Sequence, residues 1–401
     1  MLPSLLLAAA LLAGAQPGLT PAFQAALELA NQGQHEQALT AFQRLAAENP
    51  NDLESRIWIA RLHERMGNFD RAEPVYRSVL LEVPDHAAAA LGTGKMLIEL
   101  DRLDEAIKML ERAEMLEPDS VEVQLALGRA HAVAGHTRQA AVHYRQGADR
   151  APFVENLVAA DRAELADSHQ LSLRYSNERF SDSAPTTHLG ELGVNFRLAD
   201  SLRLFGRAQY QDKFNFSETR GGAGATVIIG GATAFTAQAL IGPNDSRVLP
   251  WRDYLAEASY TYHLRTASGF VRHYVFRSDT MTVLSPAASM WIGSRLWLGV
   301  RYAASLTERA GGVDREIGHT GHIRGTLQLQ PRLAVNLGFA RGVDDFDNLS
   351  IDRVGKFVAT TGSAGVRYEL RQMSVTGTFE YQRPHAGRSM QRATVTLTRG
   401  F

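Results

Sequence analysis

Seven arginines, Arg174, Arg197, Arg203, Arg207, Arg301, Arg324 and Arg367, fall on the polar positions of segments in which apolar and polar residues alternate. Glu191, Glu257, Glu369 and Glu380 occupy the same phase. Guanidinium groups facing one interior would guide an anionic or hydroxyl-rich polymer through charge and forked hydrogen bonding. The same side chains would equally make a charge-laced wall that seals a narrow barrel. The sequence leaves both readings open.

Other chemistry is thin. The chain carries no His-Glu-x-x-His, no nucleophile elbow and no phosphate-cradling glycine loop. His319 and His322 are three residues apart in a strand-like stretch, so they face opposite sides and do not share a metal. Asp344, Asp345 and Asp347 offer three carboxylates where calcium takes about 6–8 oxygens, and they read as a solvated loop. Ser289 and His263 have the types that lipid hydrolysis uses, but nothing in the sequence brings them together. With no cysteine, disulfides, thiolate sites and a lipid-anchored N-terminus are excluded. The expectation is a non-enzyme without cofactor, metal or nucleic-acid partner, and a barrel enzyme acting on lipid or glycan is a third reading.

The elements that must position these arginines are strands. Leu171, Leu173 and Tyr175 alternate with Ser172 and Arg174, and Leu192, Val194, Phe196 and Leu198 alternate with Glu191, Asn195 and Arg197. The same beat returns at 202–210, 256–262, 333–339 and 373–381. Strands of about ten residues, apolar on one face, are the signature of transmembrane β-barrels. Short turns at 199–201, 230–232, 266–268, 293–294, 331 and 370–371 alternate with longer connections, including one around Lys213. That spacing predicts fourteen strands, or twelve if the Pro286 segment is a loop. The last strand ends on Phe401 in phase with Ala393, Val395 and Leu397. It resembles the terminal signal read by the barrel-assembly machinery.

Charge marks a boundary before the first strand. Up to Asp167 there are 24 acidic and 15 basic residues, and from Ser168 onward 19 acidic and 27 basic, of which 25 are arginine. Residues 2–15 form an apolar run closed by Ala13-Gly14-Ala15, which reads as a signal peptide over residues 1–15.

Between these landmarks the chain repeats. Pro50, Pro84, Pro118 and Pro152 are each 34 residues apart, as are Ala38, Ala72, Ala106 and Ala140. Gly33, Gly67 and Gly135 keep the frame, Asp101 stands where the third unit would have glycine, and Phe42, Tyr76, Leu110 and Tyr144 form a large-residue column. Small residues at Ala60, Gly94 and Gly128 permit close helix approach, and each proline stops a helix. These columns resemble the tetratricopeptide repeat over residues 19–152. Such an array is expected to bind partners on its concave face, the alternative being a spacer.

The expected organisation is therefore a signal peptide (1–15), an α-solenoid of four repeats (16–152), a capping or linker helix (153–167) and an antiparallel transmembrane β-barrel (168–401). This order resembles the YaiO-type outer-membrane barrel family and, in architecture, the exporters of bacterial exopolysaccharides. The resemblance implies a Gram-negative outer membrane, a periplasmic array holding a protein partner, and a channel or assembly role in polymer export. A non-conducting anchor that displays the array is the competing reading.

Overall fold

The computed structural model describes residues 20–182, 184–293, 295–309, 315–343, 346, 349–354, 358–385 and 388–401. The signal-peptide segment, Ser294 and the aspartates Asp344, Asp345 and Asp347 lie outside the described residues. By packing, the chain divides into two compact units, residues 1–130 and 131–401.

The first unit holds α1 (Pro21–Asn31), α2 (His35–Glu48), α3 (Leu53–Arg65), α4 (Phe69–Glu82), α5 (Ala87–Glu99), α6 (Leu103–Leu116) and most of α7 (Val121–Val133). Three of the periodic prolines, Pro50, Pro84 and Pro118, stand two residues beyond α2, α4 and α6, where a proline ring bars further helix. Gly33 and Gly67 adopt φ of +77° and +76° in the intervening turns, and Asp101 takes the same left-handed turn at +59°. Aspartate tolerates that region better than most residues, which is why the third unit keeps its frame without glycine.

The core runs as three overlapping clusters: Phe23, Ala26, Ala38, Phe42 and Leu62; then Ile57, Ala60, Ala72, Tyr76 and Met96; then Ala90, Leu97, Ala106, Leu110 and Leu127. Gly94 and Gly128 are buried. Each cluster touches only its neighbours, as in a linear solenoid. A Cβ on Gly94 would sit 2.5 Å from Leu110 Cγ. Gly94→Leu is therefore expected to destabilise the array by about 1–3 kcal/mol through overpacking, read as a lower urea midpoint of the helical signal with the barrel transition unchanged.

The second unit begins with α8 (Thr137–Arg150) and α9 (Val154–Asp167) and continues into fourteen strands. Pro152 follows α8 as the other prolines follow their helices, and Ala140 is buried within it. The strands are β1 (Gln170–Phe180), β2 (Thr187–Ala199), β3 (Leu202–Lys213), β4 (Phe216–Ile229), β5 (Thr233–Ile241), β6 (Arg252–Tyr262) and β7 (Arg265–Val275). They continue with β8 (Thr280–Ile292), β9 (Leu296–Glu308), β10 (Arg315–Gln330), β11 (Leu333–Arg341), β12 (Ala359–Leu370), β13 (Met373–Pro384) and β14 (Met390–Gly400). Each pairs antiparallel with the next, and β14 closes on β1, from Gln170↔Gly400 to Phe180↔Met390.

Fourteen is the strand count, because Pro286 lies within β8 rather than in a loop. Its ladder to β9 stops at Leu284↔Ala304 and resumes in register at Ala287↔Arg301, while the Ser285 hydroxyl donates to the Tyr302 carbonyl across the gap. Two expectations are corrected: residues 266–268 lie within β7, the β6–β7 turn being His263-Leu264, and the connection beside Lys213 is a two-residue turn, Phe214-Asn215, with φ of +56° and +64°. Both values match the tight hairpin turn that suits strand twist.

Outward positions carry Leu173, Leu192, Val227, Val300, Leu337 and Val395, all exposed. Toward the end where the chain enters β1, hereafter the helix end, this apolar band is edged by Phe196, Phe235, Tyr260, Tyr262 and Tyr368. Toward the other, loop end it is edged by Tyr175, Tyr210, Tyr254, Tyr302 and Tyr381. A closed barrel satisfies every backbone group in hydrocarbon, and two aromatic girdles around an apolar band mark the outer-membrane class. No described helix is long and apolar enough to cross a membrane. Phe401 continues the outward phase, with its N–H donating to the His169 carbonyl at 2.9 Å and its ring exposed.

Candidate functional site

The lumen divides into two unlike halves. In the loop-end half every strand contributes at least one buried inward residue, among them Glu178, Lys213, Arg220, Asp253, Arg272 and Arg392. In the helix-end half most inward residues are at least partly exposed and line a chamber.

The buried charges pair around the wall. Glu178 on β1 meets Lys213 on β3 at 3.3 Å and Arg392 on β14 at 2.8 Å, and Arg392 also reaches Glu380 on β13 at 2.8 Å. Asp253 on β6 accepts from Arg272 Nε and Nη2 at 2.8 Å and from Arg220 Nη1 on β4 at 3.1 Å. Charges this deeply buried persist only where their partners are held in place.

What fills the centre is not wall but loop. Between β11 and β12, Val343, Phe346 and Leu349 pack against Tyr274, Phe276, Met281, Val283 and Ala303. Tyr274 donates its hydroxyl to the Phe346 carbonyl at 2.5 Å. Farther along the same loop, Lys213 donates to Ser350 Oγ at 3.0 Å and lies 3.1 Å from Asp352. β3 and the β11–β12 connection stand on well-separated arcs of the circle, so this loop crosses the lumen.

At the helix end α9 clasps the rim. Asp161 lies between Arg145 of α8 (2.9 Å) and Arg332 of the β10–β11 turn (2.8 Å). Arg162 reaches Glu369 at 2.6 Å, Arg203 donates to the Ala166 carbonyl at 3.1 Å, and Arg197 pairs with Asp167. The guanidinium of Arg145 is held charged well above its ordinary range, first by its bond to Glu164, with burial opposing and Asp161 adding.

All eleven candidate lumen residues lie on inward positions, but they serve three different places. Arg174, Arg207, Glu191, Glu257, Arg301 and Arg324 face the chamber, where Arg207 sits 3.6 Å from Glu191. Glu380 belongs to the buried wall network. Arg197, Arg203, Arg367 and Glu369 are corrected: they stand at the rim beneath α9, because the helix returns over the mouth before β1 begins. Sequence reading missed Arg220, Asp253 and Arg272, since β7 carries Phe270 and Tyr274 on the same inward phase as Arg272 and the polarity contrast vanishes there. His319 faces outward against Tyr302 and His322 faces inward, and the described residues form no metal-holding group.

The array carries a second candidate, a groove of about 340 Å³ lined by Trp58, Arg61, Arg65, Tyr76, Lys95 and Glu122. Lys95 lies 2.5 Å from Glu64 and 3.2 Å from Glu122. Burial works to lower the Lys95 ammonium, but bonding and charge from Glu64 and then Glu122 outweigh it and its pKa is raised. Burial, reinforced by the Glu64 charge, pushes the Tyr76 phenol up. Arg61 and Arg65 lie over the Trp58 ring at 5.2 and 5.6 Å.

Comparisons with known proteins fall on both parts of the chain. A tetratricopeptide repeat family model matches residues 29–95. No curated protein matches the chain. Among solved structures, a thermophilic tetratricopeptide repeat protein of Thermus thermophilus is similar at 22% identity, covering 36% of this chain and 81% of that one, with a TM-score of 0.34. The KdgM porin is similar at 10% identity over 57% of this chain and 99% of its own, TM-score 0.34. A loop-deletion mutant of OmpT, an outer-membrane protein of Vibrio cholerae, is similar at 12% identity over 58% and 98%, TM-score 0.35. The chain thus joins a tetratricopeptide array to an outer-membrane type of β-barrel.

Proposed function

We propose that the protein is a gated outer-membrane component of polymer export, with its helix end and repeat array in the periplasm. The observation that carries this reading is the nature of the obstruction. Barrels of about eight strands are filled by wall side chains, and those of about 16–18 leave an aqueous channel. At fourteen strands the charged pairs hug the wall, and loop segments fill the space between them: the β11–β12 loop, anchored by Phe346, Ser350 and Asp352, and the β5–β6 connection, whose buried Val248 accepts from Ile351 N–H at 2.9 Å. A loop can withdraw; a wall cannot. The array recruits a periplasmic partner that delivers a polysaccharide to the chamber, as in the YaiO-type and exopolysaccharide-exporter resemblance.

Conductance in planar bilayers tests the reading. The full chain is expected to pass no current at rest. A variant with residues 344–356 replaced by a short glycine-serine link is expected to show stable, anion-preferring steps, because the chamber carries more arginine than glutamate. The packed loop-end half also favours a second reading, a non-conducting anchor that displays the array. A loop-replaced barrel that is folded, heat-modifiable on gels and still silent would establish that anchor role instead.

A further inference from the structure

We propose that the chamber wall formed by β6–β10 is a binding subsite for one carboxylate-bearing sugar residue. This deepens the export reading and rests on it for the polymer's route, though not for the chemistry of the subsite.

Arg324 is the centre of the argument. It faces inward from β10, and its cross-strand neighbours are Gly299 on β9 and Gly338 on β11. Two glycines leave it nothing to pair with, and among the described residues it has no hydrogen-bond or ion-pair partner. The lumen cations of the loop-end half are buried and engaged, whereas Arg324, in the helix-end half, is exposed to the chamber. A guanidinium without a partner among the described residues, in a cavity of about 350 Å³, presents a fork that a carboxylate meets through two parallel bonds.

The surroundings choose a sugar over a simple anion. Trp297 lines the same cavity, and its indole lies against Gly299, where an added Cβ would come within 2.6 Å of the ring. The indole is thus held close to the wall, and its partly exposed ring supplies apolar surface for the C–H face of a pyranose. Ser268, Ser289 and Glu257 complete the lining with groups that bond hydroxyls. Glu257 repels a polyphosphate but accepts from sugar O–H groups. Arg301 is fixed beside them, with its guanidinium 4.8 Å over the Phe270 ring and donating to Ser285 Oγ at 3.3 Å. It keeps the field positive without moving. An aromatic platform with a few convergent polar groups is the usual form of a small-ligand site.

Calorimetric titration of the purified full chain with a β-linked glucuronate tetrasaccharide, and with its uncharged glucose counterpart, tests the subsite. The uronate is expected to bind and the glucose counterpart to bind at least about tenfold more weakly, the order of effect that one bidentate charged pair supports. Arg324→Gln should erase that preference, and Trp297→Leu should weaken both ligands, while Arg315→Gln at the exposed outer end of β10 should leave the preference intact. Equal affinity for the two sugars, unchanged uronate binding by Arg324→Gln, or full displacement by equimolar inorganic phosphate would each overturn the proposal. Uronate binding by a loop-replaced barrel that passes no current would remove the channel and leave the subsite. A conducting barrel blind to the carboxylate would do the reverse.

Discussion

Replacing Asp253 with alanine is expected to destabilise the barrel by about 3–5 kcal/mol, because the change leaves two guanidinium groups buried without their shared counter-ion. Asp253 is fully buried, and Arg220 and Arg272 are 3% and 2% exposed, so water does not reach the site to compensate. Arg220 keeps its bond to Gln209 Oε1 at 2.5 Å, and Arg272 keeps the Tyr274 ring at 5.3 Å, and these uncharged contacts do not replace the carboxylate. Asp253→Asn preserves shape and one acceptor oxygen and should cost less. The triple variant Asp253→Leu, Arg220→Met, Arg272→Met removes the charges together and should recover most of the loss, since a buried ion pair is often replaceable by apolar residues of similar volume. Urea titration of barrel tryptophan fluorescence, with heat-modifiable gel mobility as a second probe, measures all three. Equal losses in the single and triple variants would show that packing volume, not charge, governs this part of the lumen.

Asp161→Ala is expected to release α9 from the rim. Asp161 is 6% exposed and is the one carboxylate among the described residues bonded to both α8 and the β10–β11 turn. Arg145 and Arg332 remain partly exposed once it is gone, so the cost is the loss of two charge-assisted bonds less their rehydration, about 2 kcal/mol. Of the remaining clasps, Arg162–Glu369 is more exposed and contributes less than about 1 kcal/mol, while the shielded Arg197–Asp167 pair holds only the last residue of α9. Limited proteolysis between residues 150 and 170 should therefore speed up about 10-fold or more in the variant when cleavage follows local opening, with barrel mobility on gels unchanged. Unchanged proteolysis would mean that the backbone bonds at Ala166 and Asp167 hold the helix by themselves. In either outcome the loop-end plug is untouched, which separates the two closures.

The periodic features were legible in the residues alone because they are local. The 34-residue frame, its helix-stopping prolines and its alanine columns need only neighbouring helices to express themselves, and Asp101 could replace glycine because one backbone torsion was all the turn required. Alternation of period two likewise named the inward face of most strands and placed all eleven candidate charges on it. Strand number was settled only by closure, where Pro286 is tolerated because its missing bond falls in a gap filled by Ser285. Which inward charge faces water, which is buried and which grips a helix is a matter of what arrives across the lumen from distant parts of the chain. The loop carrying Phe346 and Ser350 meets Tyr274 and Lys213 more than 70 positions away, and α9 meets Arg332 and Glu369 at still greater separation. Local periodicity carries no record of such contacts. Arg324 shows the same limit in reverse: among the described residues it is left without a partner by Gly299 and Gly338, which became its neighbours only when three strands came into register.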